Sequence, residues 1–542
     1  MRRTKALITA AAMLFSCAAT TLPAQAETLT EGDFTYEITA DGSGAAVTGF
    51  IPAAETQTAE IPSELGGLPV TVIGDEAFRF CGSLSEITLP DSLTAIGNSA
   101  FSFCDSLTEL TIPANVSVIG AGVFEQCSAL QNIRVAEDNA FFCDTDGLLC
   151  SKDGTVLLAY PCGRTDNPVL PEGIRVIGET AFCGCGMTGI TLPEGLTVIG
   201  MSAFRECVNL TELRLPDSLT AIKGSAFLQC DGLRKVTLPE NLAEIGEYAF
   251  ESCQELTEIT VPKNVTEIGR NAFVCCENLK NIFVAADNAV YSDADGILYS
   301  KDGTELIEFP AGRSGGTVIP AGTLSVAPEA FARHPHQIAV ELPDGLEIIG
   351  SRAFWGCYEM DSVTIPESTK VIGTQAFLFC TGLSSVTVPA GVDQIGASAF
   401  GKTENLTLRV LSARAALGTD LLLDSSDAVI EGYTGSTAEK YAESNQIPFR
   451  SLGDIPAEQT GTAHDRYLPG DADCSGDVQI ADAILLARYL AEDAVTLTSI
   501  GKRNANCYDT ERSDLSADDL QVLLQYLAGC ADFLPVEPDP AA

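Results

Sequence analysis

Ile73-Gly-Asp-Glu-Ala-Phe78, followed by Arg79-Phe-Cys81-Gly-Ser-Leu84 and Ile87-Thr-Leu-Pro90, is the stretch that decides how this chain folds. Displaced by 23 residues, the sequence overlays itself. The Ile or Val that opens the unit returns at 73, 96, 119, 177, 199, 222, 245, 268, 326, 349, 372 and 395. The interval is 23 residues apart from one of 22 and two of 58. A fixed period with Leu, Ile and Phe at constant offsets marks a solenoid. No single coil of that length buries its own apolar residues, so neighbours must stack into a shared core.

Each coil reads alike. Phe stands at 78, 101, 124, 182, 204, 227, 250, 273, 331, 354, 377 and 400, which predicts an aromatic spine. Gly follows the opening Ile in ten of twelve units, Lys223 and Ala327 being the exceptions. That repetition implies either a positive φ or a close backbone approach. Ala-Phe-x-x-Cys predicts a short helical turn on one side of the coil. Leu-x-x-Ile-Thr-Leu-Pro predicts a strand on the other, ended by Pro. The fold class is therefore a repeat solenoid, a parallel β-sheet joined by short helical turns.

Two units break the period, 119–176 and 268–325, and they match each other at an offset of 149. Asp146-Gly-Leu-Leu-Cys-Ser-Lys-Asp-Gly-Thr155 answers Asp295-Gly-Ile-Leu-Tyr-Ser-Lys-Asp-Gly-Thr304. Lys-Asp-Gly between apolar runs is a hairpin signal, so each unit is expected to carry a protruding hairpin. Before the first coil, residues 27–70 read as an N-terminal cap. Phe34-Thr-Tyr-Glu-Ile38 alternates like a strand, and a cap covers an otherwise bare solenoid end.

The 542 residues carry 31 Lys and Arg against 74 Asp and Glu, a formal charge of −43. Such a balance argues against nucleic acid or an anionic membrane surface as partner. Residues 1–26 read as an export signal: Arg2, Arg3 and Lys5, a largely apolar run from Ala6 to Leu22, then Ala24-Gln25-Ala26. Leu14-Phe15-Ser16-Cys17 keeps a lipoprotein cleavage box open as the alternative. No other segment has the apolar length of a membrane span, so a secreted, extracellular location is expected.

Nineteen cysteines would ordinarily suggest a disulfide framework. Cys81, Cys104, Cys127, Cys185, Cys207, Cys230, Cys253, Cys276, Cys357 and Cys380 all fall three residues after the repeat Phe. Stacked coils stand about 4.8 Å apart with parallel side chains, whereas a disulfide needs Cβ atoms about 3.8 Å apart and turned toward each other. These thiols are expected to be small buried apolar groups. Free thiols in an exported protein would place it in reducing or anoxic surroundings. Cys143, Cys150 and Cys162 lie off this ladder and are open to pairing.

Ile-Gly-x-x-Ala-Phe-x-x-Cys-x-x-Leu-x-x-Ile-x-Leu-Pro, in twelve copies, resembles the BspA-like leucine-rich repeat of bacterial and protist surface proteins. The solenoid is bounded at 71–450. Ile430, Gly432, Tyr433, Tyr441, Ala442 and Phe449 are similar to that family's closing unit. Within it Ser436 and Glu439 have the spacing of a capping box. The resemblance implies adhesion or protein binding and brings no catalytic residues with it.

Residues 451–469 read as a linker, and the period ends there. Asp471-Ala-Asp473-Cys-Ser475-Gly476-Asp477-Val-Gln479-Ile-Ala-Asp482 has oxygen donors at loop positions 1, 3, 5, 9 and 12 and Gly at 6, the pattern of a calcium loop. The apolar run Ala483–Leu490 follows as a helix. A degraded second copy, with Asn504, Asn506 and Asp519, spans 16 residues where a regular loop has 12. This duplicated loop-helix pair, at 470–530 and followed by a tail at 531–542, resembles a dockerin. The resemblance implies a small α-helical calcium domain that binds a cohesin module of a scaffolding protein. It places cohesin contacts at Ile480, Ala481 and Arg488.

On the solenoid, Thr88, Thr111, Thr191, Thr237, Thr260, Thr364 and Thr387 hold one outward strand position. A Thr row suits a regular surface such as polysaccharide, and it is equally what β-propensity favours on an exposed strand. Arg134, Arg214, Phe283 and Glu341 interrupt it. His334, His336 and His464 are the only histidines, and no hydrolase, zinc-protease or phosphate-loop motif is present. The sequence thus reads as a secreted, non-catalytic binding protein docked through calcium and a cohesin to a cellulosome-like scaffold. A polysaccharide-degrading component of such an assembly, or a cell-surface adhesin, are the alternatives.

Overall fold

The computed structural model describes residues 28–459, apart from 53–55, 165 and 337. The export signal and the whole of 470–542 lie outside the described residues. So do Asp471, Asp473, Ser475, Asp477, Gln479, Asp482, Asn504, Asn506 and Asp519, and with them Ile480, Ala481 and Arg488. The chain divides into two compact units, one up to Gly296 with Pro310–Gly312, the other Ile297–Phe309 with the chain from Arg313 onward.

In the first unit the cap is an antiparallel meander, Leu29–Glu31, Phe34–Ile38 and Ala45–Phe50. Ala45–Phe50 then pairs in parallel with Leu68–Ile73, handing the sheet over to the repeat. The rings of Phe34 and Phe50 lie 5.2 Å apart, and Phe50 lies 5.3 Å from Phe78, so the cap closes the end of the aromatic spine.

Most regular coils contribute two parallel strands. The short one pairs Ile on Ile (Ile96 with Ile73, Ile119 with Ile96), one coil apart. The longer one pairs Asn132–Val135 with Glu109–Ile112 in the same register. The repeated Gly serves close approach rather than a positive φ. A Cβ on Gly97 would stand 2.6 Å from the Asp75 amide nitrogen, and one on Gly269 only 2.2 Å from that of Glu247.

The predicted helical turns are a correction: these arcs are not helical. Among the described residues the one α-helix is Thr437–Ser444. Each arc instead places two residues in the left-handed region, such as Glu76 at φ 57° and Phe80 at φ 63°. Alternate amides then donate to the next coil: Glu76 to Asn98 O (2.9 Å), Phe78 to Ala100 O (2.8 Å) and Phe80 to Ser102 O (3.0 Å). A helix would consume those amides within its own turn. Stacking wins because it satisfies them coil to coil while curling the chain around the Phe.

The hairpins are also corrected, because they do not protrude. Phe142–Thr145 pairs antiparallel with Leu148–Ser151, which pairs antiparallel with Val156–Ala159. All four residues of Leu148–Ser151 are buried. Val156–Ala159 pairs in parallel with Val176–Ile177, so the hairpin supplies the strand that a regular coil would have provided. In the second unit Glu305–Glu308 joins Ser325–Val326 in the same way.

The spine forms as expected, with two members that the period did not reveal. Tyr160 stacks on Phe182 at 4.8 Å, and Phe309 on Phe331 at 4.5 Å. Each stands 22 residues before the Phe it supports, a spacing visible in the sequence once the hairpin is discounted. Stacking continues through Phe204, Phe227, Phe250 and Phe273 in the first unit, and through Phe354, Phe377 and Phe400 in the second.

The second unit ends on Val429–Thr434, the helix Thr437–Ser444 and the strand Phe449–Asp454. Ser436 caps the helix by accepting from the Glu439 amide at 3.2 Å. Glu439 reaches back to the amide of Gly435, one residue before the cap.

Candidate functional site

Where the longer strand forms it alternates inward and outward, as Glu86–Thr88 and Glu109–Ile112 show. Ile87 and Leu110 enter the core, which leaves the next side chain in solvent. All seven threonines of the row are exposed, and so are Arg134, Arg214, Phe283 and Glu341. Register aligns them: Thr111 beside Arg134, Arg214 beside Thr237, and Thr260 beside Phe283. Each of these pairs sets a hydroxyl beside a guanidinium or a ring at about the 4.8 Å strand spacing.

Two members of this row escaped the sequence reading. Val169 bridges to Thr191, and Val318 pairs with Glu341; they are 74% and 70% exposed. Both precede Leu or Ile and Pro, as the row threonines do, but the interrupted spacing hid them.

Two basic residues on this face, Arg134 and Arg409, are tied down by nearby acids. Arg134 lies 3.4 Å from Glu109 and 3.9 Å from Asp144. Glu431, next to Arg409 in the closing unit, takes Arg409 at 2.8 Å and Arg450 at 3.4 Å. Hydrogen bonding from Arg409 holds its carboxyl below the ordinary value of 4.5. The face thus mixes exposed hydroxyls with arginines, of which Arg134 and Arg409 are locally neutralised, an arrangement suited to hydrogen bonding along an extended partner.

The opposite side of the coil holds the cysteines. Cys104, Cys127, Cys207, Cys230, Cys253 and Cys276 each aim Sγ at the carbonyl of the Phe one coil earlier, at 3.0–3.3 Å. The thiol is a small apolar group that also donates a proton to a buried carbonyl. Ser425 does the same for Phe400 O at 3.3 Å. His334, at the ladder position, is 1% exposed and faces His336 O through Nδ1 at 3.3 Å. The expectation that ladder cysteines stay unbridged is corrected at one place. Cys185 is bonded to Cys162, with Cα atoms 4.5 Å apart. Cys162 follows Tyr160 by two residues where Cys185 follows Phe182 by three, so the two thiols turn toward each other instead of stacking in parallel.

A concavity opens where the period first breaks. A regular arc runs five residues from Ile to Phe, but Leu157 to Tyr160 covers the same step in three. Tyr160 still donates its amide to the carbonyl of Ala181 at 2.8 Å, as Phe78 does to Ala100, but the shortened arc offers fewer groups to the coil before it. Side chains bridge the gap that remains. The Gly122 amide donates to Thr180 Oγ1 at 2.8 Å, Cys183 Sγ to Glu125 Oε1 at 3.0 Å, and Gln126 Nε2 to Glu206 Oε2 at 2.7 Å. Beside them lies an open cleft of about 440 Å³ lined by Asn98, Ser99, Gly120, Gly122, Glu179 and Thr180. Burial raises the Glu179 carboxyl above its usual range. Among the described residues no group of three or more His, Cys, Asp or Glu is placed to hold a metal ion.

The described residues contain no helix long and apolar enough to cross a membrane. The sequence profile of the BspA type leucine rich repeat region matches in six copies over 56–144, 160–292 and 316–420, more than half of the chain. The chain belongs to that family. Among solved structures it is similar to a leucine rich cell surface protein from Faecalibacterium prausnitzii, with 25% identity and a TM-score of 0.44. That alignment covers 77% of this chain and 97% of the other. The pneumococcal vaccine antigen PcpA is 19% identical with a TM-score of 0.38, covering 79% and 98%. A leucine-rich repeat protein from Bacteroides ovatus is 21% identical with a TM-score of 0.35, covering 78% and 99%. No curated protein matches.

Proposed function

We propose that this BspA-type leucine-rich repeat protein is a secreted, non-catalytic binding protein whose exposed strand row engages an extended target, a protein or a polysaccharide. The observation that carries the reading is the row itself. Its outward threonines return at one position of the coil, alternating in register with arginine and apolar side chains, and Arg134 and Arg409 are held by acids. A repeated, rigid set of donors and acceptors recognises a repeated partner with little ordering cost.

The C-terminal segment supplies the attachment. Asp471, Asp473, Ser475, Asp477, Gln479 and Asp482 have the donor chemistry of a calcium loop, and Asn504, Asn506 and Asp519 that of a weaker second one. Calcium would order carboxylates that otherwise repel one another. The apolar surface around Ile480, Ala481 and Arg488 would then meet a cohesin on a cellulosome-like scaffold. This half of the reading rests on the motif and its dockerin resemblance.

Calorimetric titration of the full chain, first with calcium and then with a panel of cohesins, tests the attachment. Calcium uptake followed by tight binding of one cohesin is expected. A chain that takes up no calcium overturns the loop assignment. Sedimentation with insoluble plant polysaccharide, comparing the native chain with Thr237→Lys/Thr260→Lys, tests the row. Release of soluble sugar by the purified chain overturns the non-catalytic reading.

A further inference from the structure

We propose that Cys143 and Cys150 are a disulfide-forming modification site, closed by exchange with a small-molecule disulfide. Both are free thiols here. They are directly opposite partners in the hairpin of Phe142–Thr145 and Leu148–Ser151. The register is pinned by a two-residue turn, Asp146 at φ 52° and Gly147 at φ 75°, the geometry of a tight hairpin.

Two steps from this pair, the Lys152 amide donates to Phe141 O at 2.8 Å, so Cys143 and Cys150 also occupy a hydrogen-bonded position. Cα atoms there stand about 5.5 Å apart, within the span a disulfide bridges. Cys143 Sγ lies 3.2 Å from the Ser151 carbonyl, so its sulfur is already over the partner strand next to Cys150.

Access is asymmetric. Cys143 is partly exposed, while Cys150 is fully buried. The Cys143 thiolate attacks the external disulfide, forming a mixed disulfide and releasing one thiol. Cys150 then gives up its proton and attacks the Cys143 sulfur, expelling the second thiol. The external disulfide is reduced to two thiols as the protein pair is oxidised. Burial pushes the Cys150 thiol up to about 12, which makes the second step the slow one.

The pair is no requirement of the repeat. At an offset of 149 the same positions hold Ser292 and Tyr299, and the adjoining strands Ile297–Ser300 and Glu305–Glu308 still pair. Closing the bond staples a hairpin whose tip already accepts the Ile133 amide at Gly147 O, 3.0 Å away.

The test is incubation of the full chain with oxidised glutathione, alkylation of free thiols, tryptic digestion without reductant and mass spectrometry. Both cysteines fall within one tryptic segment, residues 135–152. The expected product is that segment two hydrogens lighter and unalkylated, taking two alkyl groups only after reduction. Cys150→Ser is expected to leave Cys143 as the glutathione adduct, whereas Cys162→Ser keeps the 143–150 bond. Full alkylation of both residues in the native chain, or a glutathione adduct persisting on Cys143, overturns the proposal.

Discussion

The amide of Gly122 donates to the hydroxyl of Thr180 at 2.8 Å, across 58 residues of chain. In regular coils the corresponding amide, that of Glu76, donates to a backbone carbonyl of the next coil at 2.9 Å. At the interruption a side chain takes over that role. Thr180 holds φ 56°, the left-handed value common to this arc position, which is unfavourable for a β-branched residue. Replacing it with Val removes the acceptor and keeps the shape, at a cost of about 1–2 kcal/mol. Thr180→Ser is expected to stay close to native. Urea midpoints of the two variants check this, and equal losses would show that the hydroxyl carries nothing.

Glycines differ by what surrounds them. Gly269→Ala would drive a Cβ to 2.2 Å from a backbone nitrogen of the preceding coil. Backbone cannot move aside cheaply, so a loss above about 3 kcal/mol is expected. Gly154, at φ 69° with nothing within 4 Å, should cost only the left-handed penalty of about 1–2 kcal/mol when changed to Ala. Thermal unfolding of the pair measures the contrast.

The cysteine ladder acts through its donor. Cys230 Sγ lies 3.0 Å from Phe204 O and is fully buried. Cys230→Val removes one of two donors to that carbonyl, which keeps the Cys207 amide at 3.1 Å, so a loss of about 0.5–1.5 kcal/mol is expected, whereas Cys230→Ser restores a donor, as Ser425 does at its own position. Denaturant midpoints rank the two, and a Val variant as stable as the Ser variant would refute the donor role.

Two carboxylates give opposite pH signatures. Glu431 is held below its ordinary 4.5 by hydrogen bonding from Arg409. Its contribution is present above the unfolded value and is lost as pH falls through the lower folded value. Glu308 is 8% exposed, and burial together with Glu329 raises its carboxyl well above 4.5. Stability from the protonated Glu308 is full below the unfolded value and is lost as pH rises through the folded one. Glu431→Gln is therefore expected to lower the melting temperature at neutral pH and to converge with native in acid. Glu308→Gln should raise it at neutral to alkaline pH, with the gain vanishing below about pH 4. Melting temperatures across this range decide both signs.

The solenoid, its 23-residue register, the buried Phe spine and the outward Thr row were legible in the sequence. All four follow from residues repeated at fixed offsets, and stacking identical coils converts an offset into a contact. The arcs were misread as helical because Ala-Phe-x-x-Cys has helical spacing. Nothing local reveals that Glu76 and Phe80 turn left-handed so that their amides serve the next coil. The interruptions are visible in the sequence as two spacings of 58 residues, but their fold is not. Whether 142–159 stands out or folds under depends on Leu148–Ser151 finding partners on both sides, a long-range outcome. The Cys162–Cys185 bond, the bridge from Gly122 to Thr180 and the cleft beside Glu179 arise from a turn two residues too short. Sequence alone determined what repeats; tertiary structure decided what happens where the repeat fails, because there each group must find its partner across distant chain.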